Sequence, residues 1–326
     1  MSVATRHGII WFTLALVAGA CSSPAIESRS APRSTVTAPS SIAATAVSST
    51  NTPDPSAGAT PDAVLTEPSK TIAAITALQL VEAGTLELDT PIGSLLASDL
   101  GVGAPAARVA ALTIRQLLTH RTGFAPYEDL FFGNEVGSCR EAAVVGLKQS
   151  LQNTPGGRFQ YSNMNFCLLG IGIEVLTGER YENVVRREVL DPLGIDGMRM
   201  ADTFDVGVGD VEHRSEEGRN YMEVLGAAGA WIATPTDLAT TLDSIDPDTP
   251  GTKLLDPDTP GATRPATTTI PPDPTSGYGV GLMIFDAEDD ISLSFGHTGT
   301  LESTHAMFAR SPDGLTWAVA VPQPLE

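Results

Sequence analysis

Residues 66–84 read TEPSKTIAAITALQLVEAG, and this stretch has the pattern of an amphipathic helix. Its apolar side chains recur at threefold spacing and so share one helical face: Ile72, Ile75, Leu78 and Val81. Thr66 can cap the helix, Pro68 suits its first turn, and Gly84 can end it. We therefore predict a helix that begins near residue 66 and ends at Gly84.

Further helices are expected in the middle of the chain and strands near its end. The predicted helices cover residues 112–120, 141–151, 166–176, 181–189 and 234–242. The predicted strands cover residues 278–285, 291–295, 304–309 and 315–321. Helices followed by consecutive strands indicate an α+β protein, with an antiparallel sheet flanked by helices and a mostly helical subdomain.

The N-terminal part of the chain has the composition of an export signal and a tether. Residues 1–21 contain an apolar run too short to span a bilayer, which ends in Ala18, Gly19, Ala20 and Cys21. Small residues before a cysteine resemble a bacterial lipobox, so we expect Cys21 to be lipidated; ordinary cleavage after Ala20 is the alternative. Residues 22–63 are rich in Ser, Thr and Pro and predict a disordered tether. The domain then covers residues 64–326, with a low-complexity loop at 246–276.

Composition excludes some functions. The 326 residues have a formal net charge of −20, which disfavours nucleic acid, because phosphate binding needs clustered Lys and Arg. Cys139 and Cys167 could form a disulfide in an oxidising compartment, but no spacing rule links them, and an unpaired, buried Cys167 is slightly favoured. Neither has a neighbour at metal-ligand spacing, so we expect no metal and no cofactor.

Three fragments carry chemistry when taken in order. Lys70 stands near the start of the first helix, Tyr161 and Asn163 flank a serine after a glycine turn, and residues 296–299 read GHTG. Acyl-transfer enzymes without a Ser-His-Asp triad use a serine three residues before a lysine on one helix. A tyrosine completes the proton relay, and a strand with backbone N–H groups stabilises the oxyanion. His297, Thr298 and Gly299 would line that wall.

Together with residues 80–89, 112–123, 191–195 and 229–237, this ordered set resembles the class C β-lactamase, DD-peptidase and esterase family of serine hydrolases. The resemblance covers roughly residues 64–321. It implies an extracytoplasmic enzyme that acts on D-alanyl peptides, β-lactams or small esters. Lys70 and Tyr161 would transfer protons, and Asn163, His297, Thr298 and Gly299 would contact the substrate. In the family, the position of His120 is structural, so we expect it to pack or hydrogen-bond.

The chain departs from the family at the nucleophile. Three residues before Lys70 stands Glu67, and a carboxylate is a poor acyl acceptor. Ser69 is adjacent to Lys70 and therefore turned about 100° away from it, which makes Ser69 a weak alternative nucleophile. Glu67 is favoured by the helix macrodipole and could form an ion pair with Lys70, which would hold the lysine protonated.

Two further departures concern the ends of the domain. The family resemblance implies strands before the first helix and a closing C-terminal helix, and the sequence shows neither pattern. We therefore expect an incomplete sheet with an exposed apolar face, which a protein partner would cover. Truncation of the gene product is the other explanation.

Three functional hypotheses remain open from the sequence. The chain is a hydrolase that uses Ser69 or water, a non-catalytic lipoprotein that binds cell-wall fragments or a protein partner, or a truncated product without activity. Its expected place is outside the cytoplasm, held to the bacterial membrane by the lipid on Cys21. Loss of hydrolysis is favoured over its retention, because no neighbouring serine lies on the helical face that Glu67 shares with Lys70.

Overall fold

A computed structural model of the chain describes residues 44–47, 63–64, 67–201, 221–245, 277–285, 295–301, 304–311 and 313–322. The predicted signal peptide with Cys21, most of the predicted tether and the loop at 246–276 lie outside these residues. In the described part, no helix is both long and apolar enough to cross a membrane.

Helix α1, Ser69–Glu82, is the central helix and is almost completely buried. It packs against the other helices of the core, which explains why apolar and small residues occur on all its faces. The helix begins three residues later than predicted, because Pro68, and not Thr66, is its N-cap residue, without a side-chain cap. Glu67 therefore lies in the turn before the helix, and Gly84 follows its end with a positive φ of 70°.

The remaining helices are α2 (Gly93–Asp99), α3 (Ala107–Ala110), α4 (Ile114–Leu118), α5 (Glu128–Phe132), α6 (Cys139–Lys148), α7 (Asn163–Thr177), α8 (Tyr181–Val185), a π-helical turn (Arg186–Leu190), α9 (Asp191–Leu193), α10 (Tyr221–Leu225), a 3₁₀ turn (Gly226–Ala228) and α11 (Pro235–Asp243). They include α7, α8 and two short turns, the π-helical and the 3₁₀ turn, that pack directly on α1. Side-chain caps fix several starts: Thr113 caps α4, Ser162 caps α7 and Thr234 caps α11.

A disulfide joins Cys139 to Cys167, with a Cα–Cα distance of 5.6 Å. The expectation of an unpaired Cys167 is therefore wrong. Cys139 is the first residue of α6, and Cys167 lies in the second turn of α7. The two helices pack against each other, which brings the cysteines together although 28 residues separate them.

Two antiparallel sheets complete the described structure. The larger has the order β1-β8-β7-β6-β5, made of Ala44–Val47, Thr316–Pro322, Thr304–Arg310, Phe295–Leu301 and Met283–Ile284. The smaller has the order β2-β4-β3, made of Ala63–Val64, Trp231–Ala233 and Arg199–Met200. Helix α11 packs on β8 and β7. The predicted strand at 278–285 is only two residues long, because the chain turns back at Gly281, which has a φ of 66°.

The predicted absence of strands before the first helix is wrong for two short segments. β1 pairs with β8 and β2 pairs with β4. Sequence reasoning missed both because each is short and lies in a Ser/Thr-rich context without apolar alternation. The exposed apolar face is also not found in the described part, where only Leu95 and Leu315 are large hydrophobic residues with high exposure. The predicted lack of a closing helix concerns residues after 322, which the structure does not describe, so it stays a prediction.

Candidate active site

Lys70 lies in the first turn of α1 and is fully buried. Its Nζ donates a hydrogen bond of 2.6 Å to the carbonyl oxygen of Ala228 and lies 5.1 Å from the centre of the Tyr161 ring. Burial lowers the pKa of Lys70 to about 8, although the nearby Glu67 raises it. A lysine with such a pKa can exchange a proton near neutral pH, as a general base must.

Ser69 is turned away from Lys70, as its adjacent position predicts. The side chain is fully buried, and its Oγ accepts a hydrogen bond of 3.1 Å from the backbone N–H of Trp231 on β4. The hydroxyl therefore connects α1 to the smaller sheet. A hydroxyl that is fully buried in this position is not open to an external acyl group.

Glu67 reaches across to the larger sheet. Its Oε2 accepts a hydrogen bond of 2.9 Å from the backbone N–H of Thr300 on β6. The carbonyl oxygen of Glu67 accepts a second bond from the Lys70 backbone N–H, at 2.9 Å. The expected ion pair with Lys70 is not formed, because the Lys70 ammonium is directed to Ala228 and the Glu67 carboxylate to Thr300. The two charges still interact over a longer distance.

Tyr161 lies beside Lys70, but through its ring and not its hydroxyl. The Tyr161 Oη is buried and has no hydrogen-bond partner among the described residues. Burial raises the pKa of Tyr161 well above its ordinary value, and Glu67 and then Tyr278 add to the rise. The structure thus brings the predicted proton-transfer pair together without a hydrogen bond between the two groups. An unpaired hydroxyl in such a place is available to a ligand.

His120 supports the site from behind. It is fully buried and has a positive φ of 52°; its Nδ1 accepts from the Ser162 backbone N–H at 3.3 Å. The ring centre lies 4.4 Å from that of Tyr161 and 4.9 Å from that of Tyr278. Burial lowers the pKa of His120 well below its ordinary value, and Lys70 and His297 lower it further. These contacts are the packing and hydrogen bonding that the sequence predicted for His120.

The segment of β6 that contains His297, Thr298 and Gly299, here called the strand wall, is fixed by a contact between Tyr278 and His297. Sequence reasoning missed this contact. The Tyr278 hydroxyl lies 3.1 Å from His297 Nε2, and His297 Nδ1 lies 2.8 Å from the Thr298 carbonyl oxygen. Since a carbonyl can only accept, Nδ1 carries the proton and Nε2 accepts from Tyr278. Burial lowers the pKa of His297 to about 3, with a smaller contribution from Lys70. His297 is therefore neutral and offers no positive charge. The only sequence feature that could have identified Tyr278 was its position, as a polar aromatic residue before Gly279 in a predicted strand.

The other predicted site residues lie on the same elements. Asn163 is the first residue of α7; it is 7% exposed, and its buried Oδ1 has no partner in the part of the chain that the structure describes. Thr298 and Gly299 belong to β6, where Gly299 is buried opposite Ala306 on β7. The described residues contain no group of three or more His, Cys, Asp or Glu side chains that could hold a metal ion.

Comparison with known proteins agrees with this geometry. The family model described as "Beta-lactamase" matches residues 69–323. An unguisins hydrolase from Aspergillus violaceofuscus is 28% identical over 174 residues, which cover 47% of this chain and 30% of that protein. Penicillin-binding protein 4 from Amycolatopsis lactamdurans is 32% identical over 128 residues, which cover 39% of this chain and 33% of that protein. The matches span about a third of the length of these curated relatives.

Solved structures give the same answer for the fold. A D-stereospecific amidohydrolase from Streptomyces sp. superimposes with a TM-score of 0.64 at 24% identity, covering 81% of this chain and 82% of that one. The family match extends over most of the chain and includes Lys70, Tyr161 and His297. The chain therefore belongs to the beta-lactamase family of serine hydrolases.

Proposed function

We propose that this chain is a member of the family that no longer forms an acyl-enzyme and binds an uncleaved peptide, lactam or ester in its cleft. One observation carries the proposal. The position three residues before Lys70 holds a carboxylate, and the adjacent Ser69 hydroxyl is fully buried and bonded to Trp231. Without a hydroxyl beside Lys70 and Tyr161, acyl transfer lacks its nucleophile.

The binding half of the proposal rests on groups that remain available in the cleft. The Tyr161 Oη and the Asn163 Oδ1 are buried and have no partners within the described ranges, and such groups are rare unless a ligand or water completes them. β5 pairs only with Phe295 and Gly296, so no described strand covers the rest of that β6 edge. An extended peptide could add to this edge through backbone hydrogen bonds.

Acylation is the direct test. Purified protein is incubated with a fluorescent penicillin and, separately, with a fluorophosphonate, and its intact mass is measured. We expect no adduct on the wild-type chain. The variant Glu67→Ser should gain an adduct and turn over nitrocefin or a p-nitrophenyl ester, whereas Ser69→Ala in that background should not abolish the gain. An acyl adduct on any serine of the wild type would overturn the proposal.

Binding without cleavage needs its own measurement. Calorimetric titration with a neutral, N-acetylated D-alanyl peptide amide should show saturable binding to the wild type. We expect Asn163→Ala to weaken this binding by at least about tenfold, as loss of a buried polar contact does. The peptide should be recovered intact. Absence of binding to a folded wild-type protein would refute this half of the proposal.

The proposed location is the outer face of the cytoplasmic membrane. It rests on the apolar run of residues 1–21 and on the small residues before Cys21. Mass analysis of the mature N-terminus should show a lipid-modified Cys21. Cys21→Ala should release the protein from the membrane fraction, and an unmodified mature N-terminus would contradict the lipoprotein assignment.

A further inference from the structure

Glu67 makes a contact that local helix capping does not explain. Its carboxylate lies just before α1, yet its Oε2 bonds to the backbone N–H of Thr300, 233 residues further along the chain. A capping carboxylate would instead accept from N–H groups of its own helix, and α1 has no side-chain cap at its start. The bond therefore connects the segment just before α1 with β6.

The surroundings of this carboxylate favour an anionic acceptor. The N–H of Thr300 is directed away from β7 into the cleft, where it meets the Glu67 Oε2 at 2.9 Å. Lys70 is close enough for its charge to interact with that of Glu67. The buried Tyr161 Oη has no partner among the described residues, and burial and then the charge of Glu67 raise the pKa of Tyr161. Thus the Thr300 N–H is occupied by Glu67, the Tyr161 hydroxyl is unoccupied, and the positive charge of Lys70 lies nearby.

We propose that the backbone N–H of Thr300 is the donor of a binding site for a small carboxylate, and that Glu67 is the built-in occupant of this site. Since the Glu67 side chain is tethered at the site, its effective concentration is of the order of millimolar or higher, and a dilute external carboxylate cannot compete with it. Glu67 thereby decides specificity: it keeps carboxylates from the Thr300 N–H and leaves the rest of the cleft to neutral groups. This inference goes beyond the proposed function, because it holds whether or not hydrolysis is lost.

Removal of the occupant tests the inference. In Glu67→Ala, sodium acetate should bind at the vacated donor, and the Thr300 amide signal in a ¹H–¹⁵N spectrum should shift in a saturable manner. We expect acetate to bind this variant at least about tenfold more tightly than the wild type, because a charge-assisted hydrogen bond becomes available. Sodium chloride at equal ionic strength should not produce the shift.

A matched control separates the site from general charge effects. Glu87 is an exposed glutamate whose carboxylate accepts a bond from Thr90 Oγ1. Glu87→Ala removes the same charge, and it should leave acetate binding and the Thr300 signal as in the wild type. Equal acetate affinity in wild type, Glu67→Ala and Glu87→Ala would overturn the proposal.

A second measurement does not depend on the stability of Glu67→Ala. Glu67→Gln keeps the shape of the side chain but removes its charge, so its bond to Thr300 should weaken. The Thr300 amide should then exchange with deuterium faster than in the wild type, while neighbouring amides of β6 that bond to β7 keep their rates. An unchanged Thr300 exchange rate would show that Glu67 is not the occupant in solution.

Discussion

Two regions of the molecule share the short segment Ala227–Ala228 and differ in kind. On one side, a cavity of about 340 Å³ is lined by the disulfide and by residues such as Arg140 and Tyr181. Its polar groups are paired: Arg140 bonds to Asp99 and Glu174, and the Tyr181 Oη accepts from Trp231. On the other side, the Ala228 carbonyl oxygen holds Lys70.

The Lys70 side has the opposite character. Among the described residues, it contains buried polar atoms without partners in Tyr161, Asn163 and His120. A cavity by itself shows only that there is space, whereas unpaired buried polar atoms and a buried lysine carry a cost that stability alone would not select. The difference teaches that unpaired buried polar groups, and not space alone, indicate the candidate site. Four predictions test this contrast.

The cavity side should depend most on its covalent link. The double variant Cys139→Ser, Cys167→Ser removes a crosslink that closes a loop of 28 residues, and the chain-entropy model gives a loss of about 3–4 kcal/mol in the free energy of unfolding. Urea unfolding measures this loss. Reductant should destabilise the wild type and leave the double variant unchanged; equal sensitivity of both proteins would contradict the prediction.

The strand wall of the cleft should be sensitive to acid. The pKa of His297 is about 3 in the folded state, below its ordinary value of 6.5. The unfolded chain therefore takes up a proton first, and the stability contributed by neutral His297 is present above pH 6.5 and is lost as pH falls toward 3. At pH 4.5 this loss is about 3 kcal/mol.

The measurement is urea unfolding of wild type and His297→Asn at pH 7 and pH 4.5, because carboxylates also titrate in this range and only the difference isolates His297. The variant should lose less stability on acidification. His305→Asn, on the neighbouring strand β7, is the control and should behave more like the wild type. Parallel losses in wild type and His297→Asn would refute the assignment.

Lys70 should give a pH dependence of the same sign as His297, but in an alkaline window. Its pKa is about 8 when folded and near 10.5 when unfolded, so the unfolded chain binds more protons between these values. Stability therefore rises with pH in this window, by about 2 kcal/mol between pH 8 and 9.5. Lys70→Met should remove the rise and Lys148→Met, at the end of α6, should keep it. A rise that persists in Lys70→Met would show that another group causes it.

The smallest effect compares two buried tyrosines, one from each region. Tyr161→Phe removes a hydroxyl without a partner and should stabilise the fold by about 1 kcal/mol. Tyr181→Phe removes the acceptor of the Trp231 Nε1–H and should destabilise it by about 1 kcal/mol. Thermal unfolding of both variants at pH 7 gives the signs. Two changes of the same sign would remove the contrast between the regions.

The sequence predicted the family and the α+β class because these depend on local patterns. The cap at Thr234 and the strands at 304–310 and 316–322 follow from residue type and alternation. The prediction that Ser69 is turned away from Lys70 was also correct, since neighbouring residues on a helix differ in direction by about 100°.

The parts that the sequence did not predict depend on contacts between distant segments. The Glu67 carboxylate pairs with Thr300 and not with Lys70, because the strand offers an unpaired N–H that no local rule reveals. Tyr278 reaches His297 only because the chain turns back at Gly281. The disulfide likewise needs α6 and α7 to pack side by side, and β1 is recognisable only once β8 is in place.

The first turn of α1 has a consequence for the order of folding. Ser69, Lys70 and Thr71 are tied to Trp231, Ala228 and Gly281, partners that are 162, 158 and 210 residues away in sequence. Contacts of such separation form slowly, because a long loop must close before any of them contributes. During synthesis the cleft therefore cannot take shape until the strand that carries Thr300 has emerged, so a nascent chain passes through most of its synthesis without a ligand site.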